Sequence, residues 1–260
     1  MERAAFARRI LAAAGAAQPN DRLFAAFRDT PRERFLPPGT PAALASADDT
    51  VALGPPGINN GQPSLHAACI AALAPQTGES VLHVGAGTGY YTAILARMVG
   101  ASGRVDAYEL LPQLAAQACE NLREFPQAAV HAASGADAPL PASDIVYVNC
   151  GATGPAPPWL AALRPHGRLL FPLTGAASAG AMLLAQRPRV PSATWQARLI
   201  VPVSFVDCSG LRAPEDEGAV TTAFARGAAS SVRWLHLGPP SECPNEIWLS
   251  TPNWQLATGN

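Results

Sequence analysis

Within VLHVGAGTGYYTAILA (residues 81–96), glycines alternate at Gly85, Gly87 and Gly89 between a run of strand type and a run of helix formers. Glycines so spaced let backbone approach a ligand with no Cβ in the way, and a helix starting there offers unpaired N–H groups. That chemistry suits a nucleotide-like ligand, although a tight strand-to-helix turn also uses glycine for packing alone. One strand further on, RVDAYE (residues 104–109) ends in Glu109, where a carboxylate can accept hydrogen bonds from both hydroxyls of a ribose. The alternative for Glu109 is a solvated strand end.

Few other side chains offer reactivity. His66, in the alanine-rich PSLHAACIAAL, is a general base or positioning donor on one reading and a packed residue on the other. All 18 basic residues are arginine, which excludes a lysine Schiff base or a side-chain amine nucleophile. Cys69, Cys119, Cys150, Cys208 and Cys243 lie far apart with no CxxC or CxxH spacing, so they read as buried thiols and no metal site is expected. Trp234, His236, Trp248 and Trp254 either cover core or dimer surface or form a substrate lid.

The elements that must position these groups follow from periodicity. Apolar residues recur at helical spacing over residues 2–27, broken by Gly15 and by Gln18, Pro19 and Asn20, which predicts two helices joined by a turn as an N-terminal cap. Prolines and glycines over residues 31–63 predict loop with a short strand at most, and residues 63–73 predict a helix opened by Pro63. Strands are then expected at 80–84, 103–108, 129–132, 145–149 and 168–172, with helices at 90–99, 111–123 and 158–163. Such alternation predicts an α/β fold with a mostly parallel sheet covered on both faces. Runs at 181–186 and 197–206 predict an antiparallel addition at a sheet edge. Residues 208–260 then hold an acidic turn (Glu215, Asp216, Glu217), a helix near 219–229 and short strands bearing tryptophan.

GxGxG resembles the first motif of class I S-adenosylmethionine-dependent methyltransferases more than the GxGxxG of dinucleotide enzymes. With PRERFLP (31–37), GQPSLHA (61–67) and GRLLFPL (167–173) in that order, residues from about 6 to 207 resemble the protein-L-isoaspartate O-methyltransferase family. The resemblance implies a Rossmann-like class I methyltransferase fold: a mostly parallel seven-stranded sheet with an antiparallel edge, an N-terminal helical cap and a C-terminal extension. The methyltransferase domain would be residues 1–207, with cap and substrate loop at 1–63, and the extension 208–260.

The implied cofactor is S-adenosyl-L-methionine, held by His83, Gly85, Ala86, Gly87, Gly89 and Tyr90, with Glu109 at the ribose. Leu110 and Asn149 complete the set. Ser134 and Asp137, near the family's GDG, meet adenine or form a polar turn. Two departures stand out. The family's TISxP aligns with Asn59-Asn60-Gly61-Gln62-Pro63, so both hydroxyls are missing. Asn59 can still donate hydrogen bonds to a carboxylate or amide, which makes Asn59 and His66 the catalytic candidates; otherwise the loop only closes over the cofactor. His83 stands where the family carries an acid. Asn149-Cys150-Gly151-Ala152 lacks the prolines and aromatic clamp of NPPY, which disfavours DNA methylation.

The implied activity is O-methylation of a carboxylate on a protein, a peptide or a small metabolite, with the acceptor between residues 57–66 and 149–153. A non-catalytic S-adenosylmethionine-binding module is the alternative. Composition agrees with a globular chain: 260 residues, 48% hydrophobic and 14% charged. A formal charge of −1 creates no field toward nucleic acid, and no apolar run approaches the ~20 residues of a membrane span. The N-terminal stretch lacks a signal peptide's apolar centre, so a cytoplasmic monomer or homodimer is expected.

Overall fold

A computed structural model describes residues 3–15, 21–137, 139–239 and 246–259. It forms two compact units, Met1–Gly135 and Ala136–Asn260.

The first unit opens with helices α1 (Arg3–Ala13) and α2 (Asp21–Asp29); the expected turn residues Gln18, Pro19 and Asn20 lie outside the described residues. A 3-10 turn (Arg32–Phe35), helix α3 (Ala42–Ala45) and an antiparallel bridge between Ala52 and Asn59 fill the proline-rich stretch. Helix α4 (Pro63–Leu73) starts with proline at N1, where the missing N–H costs nothing, and Asp48 Oδ1 accepts from the Ser64 N–H (2.8 Å) at its N-terminus. Strand β1 (Ser80–Val84), helix α5 (Tyr90–Val99), strand β2 (Arg104–Tyr108), helix α6 (Pro112–Asn121) and strand β3 (Ala128–His131) then alternate as expected.

The three strands are parallel, in the order β3-β2-β1. Val81 and Leu82 on β1, Ile94 and Leu95 on α5 and Ile70 and Leu73 on α4 are fully buried and form the core that holds this layer. Register carries the functional consequence. Val84 pairs with Tyr108, and the Gly85 and Ala86 N–H groups both donate to the Tyr108 carbonyl (2.9 and 3.1 Å). The glycine turn after β1 is thereby set beside Glu109, the residue after β2.

The second unit contains β4 (Ser143–Val148), α7 (Pro157–Ala162), β5 (Leu163–Thr174), β6 (Ala179–Gln186), β7 (Thr194–Ser204), α8 (Pro214–Arg226), β8 (Val232–Leu237), β9 (Ile247–Ser250) and β10 (Trp254–Thr258). Strands β4 and β5 are parallel, and β5-β6-β7-β8-β10-β9 continue antiparallel. The described residues thus hold ten strands rather than seven, because residues 232–258 add three antiparallel strands to β7, with β10 between β8 and β9. The acidic residues 215–217 are not a turn but the first turn of α8, where Pro214 starts the helix and carboxylates oppose its positive end. Trp248 and Trp254 are buried in this unit, their indole N–H groups donating to the Gly227 carbonyl (2.7 Å) and to Asp216 Oδ2 (3.1 Å). Among the described residues no helix is long and apolar enough to cross a membrane.

The cysteines do not all behave as buried thiols. Cys150 and Cys208 form a disulfide, Cys69 is buried, Cys119 is exposed, and Cys243 lies outside the described residues. The bond follows from a parallel bridge that sets Gly151 beside Asp207, with Gly151 N–H donating to the Val206 carbonyl and Cys208 N–H to the Gly151 carbonyl (both 2.8 Å). No spacing rule reveals a pair 58 residues apart. Closing a loop of that length removes denatured-state entropy worth about 4 kcal/mol. Reduction by a dithiol, or Cys150→Ser with Cys208→Ser, is expected to lower the thermal midpoint by roughly 10 °C in scanning fluorimetry.

Candidate active site

The glycine turn adopts backbone conformations that side chains disfavour: φ is +78° at Gly85, +56° at Gly87 and +91° at Gly89. A Cβ at Gly89 would lie 3.0 Å from Leu122 Cδ1, and one at Gly87 would lie 3.3 Å from Leu53 Cδ1. Glu109 is 7% exposed; its Oε2 accepts from the Gly87 N–H (2.7 Å) and its Oε1 from the Leu111 N–H (3.0 Å). Burial pushes its carboxyl above the ordinary range, against the lowering by the N–H groups of Leu111, Gly87 and Leu110. A carboxylate offers about four acceptor positions, so those two bonds leave capacity for a diol. Leu110 beside it is an exposed apolar side chain (51%) that offers a surface for a flat ring. A shape-limited glycine cradle, an anchored buried acid and an apolar platform fit S-adenosylmethionine.

The remaining cofactor candidates divide. Ala86 is buried in the turn itself, and Ser134 is half-buried beside Gly135, whose missing side chain lets it pack on Val84. Tyr90 is buried against Phe27, Phe35 and Tyr91. His83 is fully buried with Nδ1 2.9 Å from Thr92 Oγ1 on α5, and burial depresses its pKa to about 3. Asp137 is exposed in the second unit, where Asn149 follows β4. The segment after Asn149 is held on one side by Ala152 N–H donating to the Pro172 carbonyl (3.0 Å) and on the other by Thr153 N–H donating to the Leu211 carbonyl (3.3 Å).

The departures from TISxP have a structure of their own. Asn59 is exposed, and its Oδ1 accepts from the Gly61 N–H (2.9 Å), an Asx turn. Gly61 has φ +71°, and a Cβ there would sit 2.1 Å from His66 Nε2. No serine fits while this imidazole and this backbone hold their places. His66 is 2% exposed and lies parallel to the Tyr91 ring (centroids 3.6 Å apart, planes at 12°), while Tyr91 Oη donates to the Gly61 carbonyl (3.2 Å). Desolvation first, then the nearby His83 and Arg32, lower the His66 pKa to about 3. Sequence reasoning missed Tyr91, Asp48 and Arg32. Arg32 stands in PRERF between Pro31 and the charged Glu33 and Arg34, where nothing local marks it as buried, and its partners come from a distant loop.

Comparison with known proteins adds to this geometry. The sequence model of the family described as protein-L-isoaspartate(D-aspartate) O-methyltransferase matches residues 9–210. The protein-L-isoaspartate O-methyltransferase of Anaeromyxobacter dehalogenans is 34% identical over 73% of this chain and 90% of its own length. That of Aeropyrum pernix is 34% identical over 58% of this chain, a match that spans only 60% of the relative. A solved protein-L-isoaspartate O-methyltransferase superposes on 98% of this chain and 88% of its own with TM-score 0.72 at 17% identity. A Plasmodium falciparum structure of the same description, in complex with S-adenosyl-L-homocysteine, covers 80% of this chain and 99% of its own with TM-score 0.67 at 16% identity. Those two structures establish the likeness of fold, and the sequence match over most of the chain establishes descent: the chain belongs to the protein-L-isoaspartate(D-aspartate) O-methyltransferase family of S-adenosylmethionine-dependent methyltransferases.

Proposed function

We propose that this chain transfers a methyl group from S-adenosylmethionine to a carboxylate oxygen of a peptide or protein acceptor. The observation that carries the reading is Glu109 locked by Gly87 and Leu111 N–H groups beside the glycine turn, a ribose acceptor built into the end of β2. When bound, the cofactor supplies an activated methyl group, so the chain must bind, align and exclude water. Gly85, Gly87 and Gly89 admit the cofactor to the backbone, and Glu109 and Leu110 orient its nucleoside. No base is needed for an acceptor already anionic near neutral pH. That suits a site whose two histidines, His66 and His83, are buried and neutral with pKa values near 3. We assign His66 to supporting Gly61, and Asn59 to the acceptor side of the loop.

Relatives named for isoaspartyl methylation make an isoaspartyl carboxylate the first acceptor to test. The turn at Asn59–Gly61, closed to a serine, favours a second reading in which another peptide carboxylate is preferred. The cytoplasmic setting read from the sequence is opposed by the Cys150–Cys208 disulfide, a bond that persists mainly in oxidising compartments, so assays run with and without a dithiol. Labelled S-adenosylmethionine and a panel of isoaspartyl and aspartyl hexapeptides should give a methyl ester whose label is released by base as methanol. Base-stable label would overturn carboxyl methylation, and faster labelling of the aspartyl isomer would select the second reading.

A further inference from the structure

Arg32 is fully buried, yet no carboxylate among the described residues pairs with it. Its acceptors are all carbonyl oxygens: the main chain of Leu44 (3.4 Å), Ala45 (3.3 Å), Ala47 (2.8 Å) and Asp49 (2.5 Å), and the side chain of Asn60 (Oδ1, 3.3 Å). Asn60 Oδ1 also takes the Val51 N–H (2.8 Å), while the Asn60 N–H donates to the Val51 carbonyl (3.0 Å). One guanidinium therefore gathers residues 44–49 and pins Asn60, the centre of the turn Asn59–Gly61. The arrangement is expensive: Arg32 Nε and Asn60 Nδ2 are buried without hydrogen-bond partners among the described residues. Asn60 Oδ1 serves both the Arg32 guanidinium and the Val51 N–H, so this one side chain couples the clamp to the turn.

The consequence lies one residue away. Asn60 is buried while Asn59 beside it is exposed, and the Asx turn to Gly61 ties the Asn59 oxygen to the loop. We propose that Arg32 is a positioning residue for the methyl acceptor, acting through Asn60 to hold the Asn59 amide as a hydrogen-bond donor toward an acceptor oxygen. The inference rests on the methyltransferase reading above. It confers a preference for acceptors that offer an anionic oxygen, because the Asn59 NH2 supplies two N–H donors and a bond to a charged acceptor is the stronger kind.

Lysine cannot replace the planar fork, since a single ammonium with three donors cannot reach carbonyls spread around Arg32. The test compares Arg32→Lys, Asn59→Ala, Asn60→Leu and the Arg32→Lys/Asn59→Ala double variant, using an isoaspartyl hexapeptide as acceptor and calorimetry with S-adenosylhomocysteine. Each single variant should raise the acceptor KM about tenfold or more, as for a lost hydrogen bond to a charged group, with S-adenosylhomocysteine affinity within about twofold of wild type. The double variant should be no worse than Asn59→Ala, because Arg32 acts through Asn59. Multiplying effects, or an unchanged KM in Asn60→Leu, would overturn the positioning role; an unchanged KM in Asn59→Ala would remove the donor itself. If Arg32→Lys fails to fold, Asn60→Leu decides, since it cuts one of the five Arg32 bonds and the Val51 N–H bond and leaves the other four Arg32 bonds in place. Absence of transfer by wild type to any hexapeptide carboxylate overturns the methyltransferase reading and this inference together, whereas wild-type turnover with insensitive variants overturns this inference alone.

Discussion

Glu109→Ala is expected to raise the dissociation constant for S-adenosylhomocysteine by about 100-fold or more, since a carboxylate that accepts hydrogen bonds is worth roughly 1.5–3 kcal/mol per bond. Two effects combine. The ribose loses its acceptor, and the Gly87 and Leu111 N–H groups lose the oxygens that tie the glycine turn to the end of β2. Glu109→Gln should recover only part, because its oxygen can keep one backbone N–H while its NH2 meets the other donor. Calorimetry gives the affinity directly, and the loss of ligand-induced thermal stabilisation gives it independently. Wild-type affinity in Glu109→Ala would remove this residue from the cofactor site.

Chemical denaturation at a series of pH values should show stability falling by about 5 kcal/mol between pH 6.5 and about 4.5, the effect of two buried imidazoles at about 1.4 kcal/mol per unit each. In the folded chain His66 and His83 have pKa values near 3, against an ordinary 6.5. A depressed histidine contributes stability that is complete above the unfolded pKa and is lost as pH falls toward the folded one. The loss is comparable to the whole stability of a small domain. Glu109 works the other way: its raised carboxyl favours the folded state as pH falls through the carboxylate range, and partly offsets the decline at the acid end. Asp106, lowered by its bonds to Arg104 and His131 in spite of burial, adds to acid loss only below its ordinary 3.8. His66→Asn with His83→Asn should flatten the slope. A wild-type profile flat from pH 7 to 5 would mean that the imidazoles meet solvent.

The two experiments probe what was legible to different degrees. The glycine turn and Glu109 could be read directly because their signals are local: glycine spacing, a strand before, a helix after, and an acid at the next strand's end. Parallel register then brings them together almost automatically. The burial of His66 was open on the sequence, since a histidine among alanines marks either a reactive group or a packed one. Its stack on Tyr91 and its contact with Gly61 decide for packing, and they also explain why position 61 carries no side chain.

Residue order along the chain settled the α/β alternation, the helix limits at Pro63 and Gly89 and the glycine turn with an acid at the end of the next strand, because periodicity, proline and glycine act on the residues beside them. Folding in three dimensions decided the rest. The Arg32 clamp on residues 44–60, the Cys150–Cys208 bond and the extra strands after residue 231 all join segments distant in sequence. Such partners are chosen by packing and register, and local propensity carries no information about either.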